Sequence, residues 1–106
     1  MSKYIKLSEE EELEIAELDP QIELHKALLE LEKLPAFHLL LKNYTVDKPL
    51  ELTYSLGSIE NNSRNNDNVA RQLTSIALFK SYLDDVKANG EVAHATKQSI
   101  LDRSNK

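Results

Sequence analysis

The chain has 106 residues, no cysteine and a formal net charge of −5 at pH 7, with 41% hydrophobic and 29% charged residues. This composition fits one ordinary globular domain, and the absence of cysteine excludes disulfide bonds, thiolate zinc sites and a cysteine nucleophile. Residues 1–32 contain ten of the eighteen acidic residues, and no cluster of lysine or arginine occurs in the chain, so direct nucleic-acid binding is not expected.

The low content of turn-forming residues predicts an all-α fold. Only two glycines and three prolines interrupt the sequence, whereas a sandwich or barrel of short strands needs turn residues at every corner. We therefore expect a small bundle of about three to five helices with an extended N-terminal arm. No apolar run approaches the ~18 residues of a membrane span, and the first residues lead into glutamates, so neither a membrane span nor a signal peptide is expected.

The first eighteen residues are predicted to form an acidic arm and a short helix. Residues 1–7 alternate too briefly to indicate a strand, and the Ser-Glu-Glu-Glu sequence at residues 8–11 fits a capping box at a helix start. The helix expected over residues 9–18 has only a narrow apolar stripe, so we expect it to be flexible. Removal of residues 1–18 should then leave the body folded.

Residues 19–90 are predicted to form the helical core domain. Asp19 and Pro20 are the residue types of an N-cap and a first helical position, which predicts a second helix over residues 20–34. The apolar spacing indicates a face packed on the core, consisting of Leu24, Leu28 and Leu31 with Ile22 and Leu29 beside them. Pro35 should break that helix and begin a third one, which ends near Tyr44.

The second half of the core domain contains one ambiguous segment and the longest predicted helix. Residues 50–56 alternate as a strand would, but a lone strand lacks a clear partner, so we favour a short helix that ends at Gly57. Residues 61–68 include five asparagines and are interpreted as a polar connector, with a recognition loop as the alternative. A long helix is predicted over residues 67–88, stopped by Asn89 and Gly90. Its apolar face consists of Val69, Leu73, Ile76, Leu83 and Val86, with Ala77, Phe79 and Tyr82 beside it.

No pattern in the sequence indicates catalysis, a metal or a cofactor. His25 and His38 could approach one another on neighbouring helices, but neither these histidines nor His94 have the His-x-x-x-His or Glu-x-x-His spacing that arranges ligands on one helix face. Glycine-rich phosphate loops and nucleophile elbows are absent from the sequence. We expect a protein that is not an enzyme, with no catalytic residue, no metal ligand and no cofactor.

The order of elements resembles that of small helical accessory proteins encoded among the structural genes of tailed bacteriophages. The resemblance lies in the segment from Leu28 to Leu41, the connector from Asn61 to Asn68 with Arg64, and the sequence from Val69 through Tyr82-Leu83. It implies a component of the virion or of its assembly that binds other structural proteins, located in the virion or the host cytoplasm. The acidic segment at the N-terminus lies outside the resemblance.

The leading functional hypothesis is therefore a structural or assembly component that binds other proteins, such as virion proteins or copies of itself. The alternative is a small acidic regulator that occupies a basic site on a nucleic-acid enzyme. Residues 91–106 are predicted to be a tail or a marginal helix, and apolar residues in both terminal segments would serve as anchors. The candidate partner-binding residues are Tyr4, Ile5, Leu7, Glu9, Glu10, Glu11, Glu12, Leu13, Ile15, Leu18, Ile100 and Leu101.

Overall fold

A computed structural model describes residues 7–104, so the expected extended arm with Tyr4 and Ile5 lies outside the described residues except for Leu7. Residues 7–104 contain α-helices and one π-helical turn and no strand, which confirms the all-α prediction. The elements are α1 (Glu9–Glu32), α2 (Pro35–Lys42), a π-helical turn (Asn43–Asp47), α3 (Lys48–Leu56) and α4 (Ser63–Ser104). They divide into two units: a terminal unit, described over residues 7–30 and 85–104, and a central unit, residues 31–84.

The start of α1 is the predicted capping box. The backbone N–H of Ser8 donates to Oε1 of Glu11 over 3.1 Å, and the backbone N–H of Glu11 donates to Oγ of Ser8, also over 3.1 Å. Each side chain thus satisfies a backbone donor that the first helical turn leaves without a partner. The glutamates of this turn also lie at the positive end of the helix dipole.

The predicted break at Asp19-Pro20 is wrong, because α1 is continuous and contains Pro20 in its interior. A proline inside a helix costs about 3 kcal/mol through the lost hydrogen bond and the ring clash. Tertiary packing offsets that cost here, because Leu18 before the proline is half-buried and Ile22 after it is buried. Asp19 does not cap a helix; its Oδ1 accepts a hydrogen bond from Nζ of Lys97 at 2.7 Å.

The predicted boundaries of the longest helix are also wrong. Helix α4 begins at Ser63, runs through Asn89 and Gly90, and continues to Ser104. Gly90 does not have the positive φ of a helix-terminating glycine. The predicted marginal tail from residue 91 onward is therefore the last part of α4 as far as it is described, and Ala93 and Ile100 within it are buried.

The terminal unit is an antiparallel helix pair with a coiled-coil-like seam. Its buried and half-buried positions recur at spacings of three and four residues on both helices. Lys97 contacts Asp19 and Gly90 contacts His25. Later residues of α4 thus lie beside earlier residues of α1, so the two helices are antiparallel. The seam contains Ile15, Leu18, Ile22, His25 and Leu28 of α1 with Val86, Gly90, Ala93, Lys97 and Ile100 of α4. Residues 9–18 thus contribute to the packing, which removes the reason to expect that they are dispensable.

Gly90 is the point of closest approach between the two helices of this pair. A β-carbon built on residue 90 would overlap the Cβ of His25 and lie against the imidazole ring. Glycine in a helix interior costs about 1 kcal/mol relative to alanine. The glycine permits the two helix axes to approach each other. Gly90 therefore serves helix packing and does not end the helix, contrary to the prediction from the Asn-Gly sequence.

The central unit packs α2, the π-helical turn and α3 against the first part of α4. Leu52, Val69 and Ile76 form the buried cluster, and Leu73 packs against it. The rings of Tyr44 and Phe79 meet edge to face, with centroids 5.6 Å apart. The break at Pro35 and the short helix that ends before Gly57 are confirmed, although Gly57 has φ −87° and not the left-handed conformation.

The predicted interruption after Tyr44 is a π-helical turn, and the chain stays helical through it. The backbone N–H of Lys48 donates to the carbonyl of Asn43, which makes the turn one residue wider than an α-helical turn. Pro49 follows directly, and it has no N–H to donate and a ring that crowds the carbonyl four residues earlier. The wider turn therefore lies where regular α-helical bonding would fail.

Most of the asparagine-rich segment forms the start of α4, which begins at Ser63 and not near the predicted residue 67. Oδ1 of Asn62 accepts the backbone N–H of Asn65 at 2.9 Å, which caps α4. Asn61 donates through its side-chain amide to Oδ1 of Asn66 at 2.8 Å and accepts from the amide of Asn65 at 2.5 Å. These side chains bond to one another, which favours a connector over a recognition loop.

Replacement of Ile76 by aspartate should abolish the cooperative folding of the central unit. An unpaired carboxylate at this buried position costs several kcal/mol, against a total stability of about 5–15 kcal/mol for a domain. Leu78→Asp is the matched control, because Leu78 lies on the same helix and is exposed; it should change the free energy of unfolding by less than about 0.5 kcal/mol. Urea denaturation followed by far-ultraviolet circular dichroism measures both. Equal destabilisation by the two variants would contradict the assigned core.

Gly90→Ala should lower the free energy of unfolding, although the same exchange in an unconstrained helix raises it by about 1 kcal/mol. The added methyl group would overlap the Cβ of His25. Replacing His25 by glycine at the same time removes that overlap. The double variant His25→Gly with Gly90→Ala should therefore be more stable than the two single variants predict by addition. Thermal denaturation of the four proteins measures this coupling, and strict additivity would show that the two residues do not touch.

Candidate protein-binding surface

The predicted partner-binding residues occupy different environments on the terminal unit. Of those within the described range, Glu9, Glu10, Glu12 and Leu13 are exposed, and Leu7, Glu11, Ile15, Leu18 and Leu101 are half-buried. Ile100 is fully buried and presents no side chain to a partner. Most of the described apolar candidates are thus used in packing within the terminal unit, and among those in residues 7–104 Leu13 is the large apolar one that stays exposed.

Helix α1 has a second apolar face, on the side away from Ile22 of the seam. Leu24 and the buried Ile22 lie two residues apart, about 160° from each other around the helix. Leu13 precedes Leu24 by eleven residues, about three turns, so the two leucines lie on the same side. They are 67% and 50% exposed, and the face they share is named the outer stripe: Leu13, Pro20, Leu24 and Ala27, all exposed.

The outer stripe lies on the strongly acidic unit. The described residues of the terminal unit include twelve acidic and four basic residues, a formal net charge of −8, whereas residues 31–84 include six of each and are neutral. Glu9, Glu10 and Glu17 are all exposed and lie three or four positions from Leu13 on the helix surface. The leucine at this end of the stripe is therefore surrounded by carboxylates.

Another exposed apolar surface lies on the central unit. Helix α2 buries none of its residues, and the segment of α2, the π-helical turn and α3 has two faces. Its inner face contains the half-buried Leu41, Thr45 and Pro49 and the buried Leu52. Its outer face, named the central face, consists of Leu39, Val46, Leu50 and Tyr54, of which Leu39 and Tyr54 are 71% and 78% exposed.

The sequence assigned Leu24 and Leu31 to the core, and both are exposed. Hydrophobic spacing placed them on a packed face, but α1 has apolar residues on two faces and buries only one. The sequence feature that could have identified the buried face of α1 lies on α4. There Val86, Gly90 and Ala93 continue a spacing of three and four residues past the Asn-Gly pair. That spacing indicates a helix that continues beyond residue 88 and a partner for one face of α1.

Two of the histidines line a groove in the terminal unit. It has a volume of about 340 Å³ and is bordered by Ile22, His25, Lys26, Leu29, Gly90, Glu91 and His94. His38 belongs to the central unit, where its Nε2 donates to the backbone carbonyl of Glu32. Over residues 7–104, no group of three or more histidine, cysteine, aspartate or glutamate side chains could hold a metal ion.

Comparison with protein-family models, curated proteins and solved structures finds no match to this chain. In the part of the chain that is described, no helix combines the length and the hydrophobicity needed to cross a membrane. The structural features that bear on function are two exposed apolar faces. One lies on the acidic terminal unit, and the other lies on the neutral central unit.

Proposed function

We propose that this chain is a non-enzymatic, protein-binding component of a larger assembly. The central face is the main observation that supports this proposal. It presents four large apolar side chains on one side of a helical segment, and the other side of that segment packs on α4. Burial of one such side chain contributes about 1.5–3 kcal/mol, so a partner that covers the face gains several kcal/mol. Contiguous exposed apolar surface of this kind is typical of interaction sites.

The bacteriophage virion is the assembly that the sequence resemblance suggests. The segments that carry the resemblance include Leu39 of the central face and the α4 residues from Val69 to Leu83. Under this proposal the central unit binds a structural protein or another copy of this chain. Its neutral charge is compatible with a close apolar contact, because little electrostatic repulsion accompanies association.

The acidic regulator is the second candidate, and the net charge of −8 on the terminal unit favours it. A basic site on a nucleic-acid enzyme would bind that unit through charge, and the affinity would fall steeply with salt. An assembly contact through the central face would depend weakly on salt. The two candidates therefore differ in which residues matter and in how ionic strength acts.

The test is to follow the sedimentation of the chain and its co-purifying proteins at native expression. Wild type should sediment as part of a particle larger than itself, and Leu39→Asn with Tyr54→Asn should release it, because two lost anchors together weaken binding by about 100-fold. Leu78→Asn is the matched control on an exposed leucine of α4 and should remain in the particle. All variants should melt as wild type does.

Charge reversal separates the two candidates in the same experiment. Glu10→Lys with Glu17→Lys should leave the sedimenting particle intact if the central face carries assembly. Loss of the complex in this variant but not in the Leu39/Tyr54 variant, with release of wild type at high salt, would instead support the regulator. A wild-type chain that sediments alone would contradict the assembly proposal.

A further inference from the structure

We infer that the outer stripe of α1 is a docking site for a basic amphipathic helix of a different protein. The inference concerns the terminal unit and does not depend on the proposed role of the central face. The burial pattern of α1 supports it: Ile22 is buried in the seam, while Leu13 and Leu24, which lie about 160–180° from it around the helix, are exposed. Single exposed apolar residues are ordinary on a protein surface, but two leucines with Pro20 and Ala27 on one side of α1 form a strip that fits a second helix.

The spacing of the outer stripe matches a helix partner. Leu13, Pro20, Leu24 and Ala27 follow at intervals of seven, four and three residues, which is the repeat of helices that pack side by side. Leucines on both faces place α1 in the position of a helix between two neighbours. One neighbour is α4, and the described residues of the terminal unit leave the place of the other uncovered.

Charge selects the chemistry of the partner. Glu9, Glu10 and Glu17 surround Leu13 and are exposed, so a complementary helix carries lysine or arginine beside its apolar residues. A second copy of the terminal unit would bring another net charge of −8 within a Debye length, which opposes self-association through this face. Nucleic acids and anionic lipid surfaces are repelled for the same reason.

The pairing resembles the recognition of an amphipathic helix on an apolar strip, in which apolar anchors supply affinity and flanking charges select the partner. The partner's apolar residues would lie against Leu13 and Leu24, and its basic residues would lie at the end of the stripe near Glu10 and Glu17. Charge recognition is therefore concentrated in the N-terminal part of α1, and apolar contacts lie on both sides of Pro20.

The test uses the full chain and three synthetic peptides of one length. The first is a helix with leucines at spacings of three and four residues and lysines beside them, the second has glutamates in place of the lysines, and the third has serines in place of the leucines. Fluorescence anisotropy should show binding of the first peptide, with affinity at least about tenfold lower for each of the others. Higher ionic strength should weaken the first complex.

Variants of the chain locate the site. Leu13→Asn with Leu24→Asn, and separately Glu10→Lys with Glu17→Lys, should each weaken binding of the basic peptide by at least about tenfold. Val92→Asn is the matched apolar control, because Val92 is 67% exposed on α4 of the same unit, as Leu13 is on α1. Glu91→Lys, also exposed on α4, is the matched charge control. Both controls should bind as wild type does.

Several results would overturn the inference. These are equal binding of the glutamate peptide, an equal loss in the α4 control variants, and no binding of any peptide. Circular dichroism melts of all variants should match that of wild type, and a variant that fails to fold is replaced by its single substitutions, of which Leu24→Asn is decisive. If the basic peptide does not bind but the chain still sediments in a large particle, the docking site is rejected and the assembly proposal is retained.

Discussion

The close approach of α1 and the last part of α4 at Gly90 governs the terminal unit. Because residue 90 has no side chain, the backbone of α4 lies against His25, and this contact sets the register of the antiparallel pair. The same register brings Lys97 to Asp19 and directs Ile100 into the interior. The ion pair is partly open to water and contributes only about 0–1 kcal/mol, so apolar packing and the absent β-carbon carry most of the specificity.

Structural features that a few neighbouring residues decide could be predicted from the sequence, whereas features that depend on distant residues could not. The capping box at Ser8 and the break before Pro35 are local, since each depends on hydrogen bonds or sterics within a few positions. Asp19-Pro20 and Asn89-Gly90 are equally strong local signals for helix ends, yet both helices continue through them. Packing along the seam outweighs a penalty of about 1–3 kcal/mol at each site.

The candidate surfaces could be predicted only in part. The acidic character of residues 9–19 is evident in the sequence, and so is the exposure of the glutamates, because charged residues are rarely buried. Leu13 could be named as a partner residue on that basis, whereas Leu24 was assigned to the core. Hydrophobic spacing shows that α1 has apolar positions, but the choice of the buried face depends on small residues in α4, some 65 positions later in the chain.

The continuity of α4 through Asn89 and Gly90 also bears on the chemical ageing of the protein. An Asn-Gly pair loses ammonia readily in a flexible chain, because the glycine nitrogen attacks the asparagine side chain and forms a cyclic imide. Within α4 the backbone is held in the helical conformation at this point, which keeps the nitrogen away from the side-chain carbonyl. Conversion of Asn89 to aspartate or isoaspartate thus requires local opening of the helix, and its slow accumulation would record how often the seam comes apart.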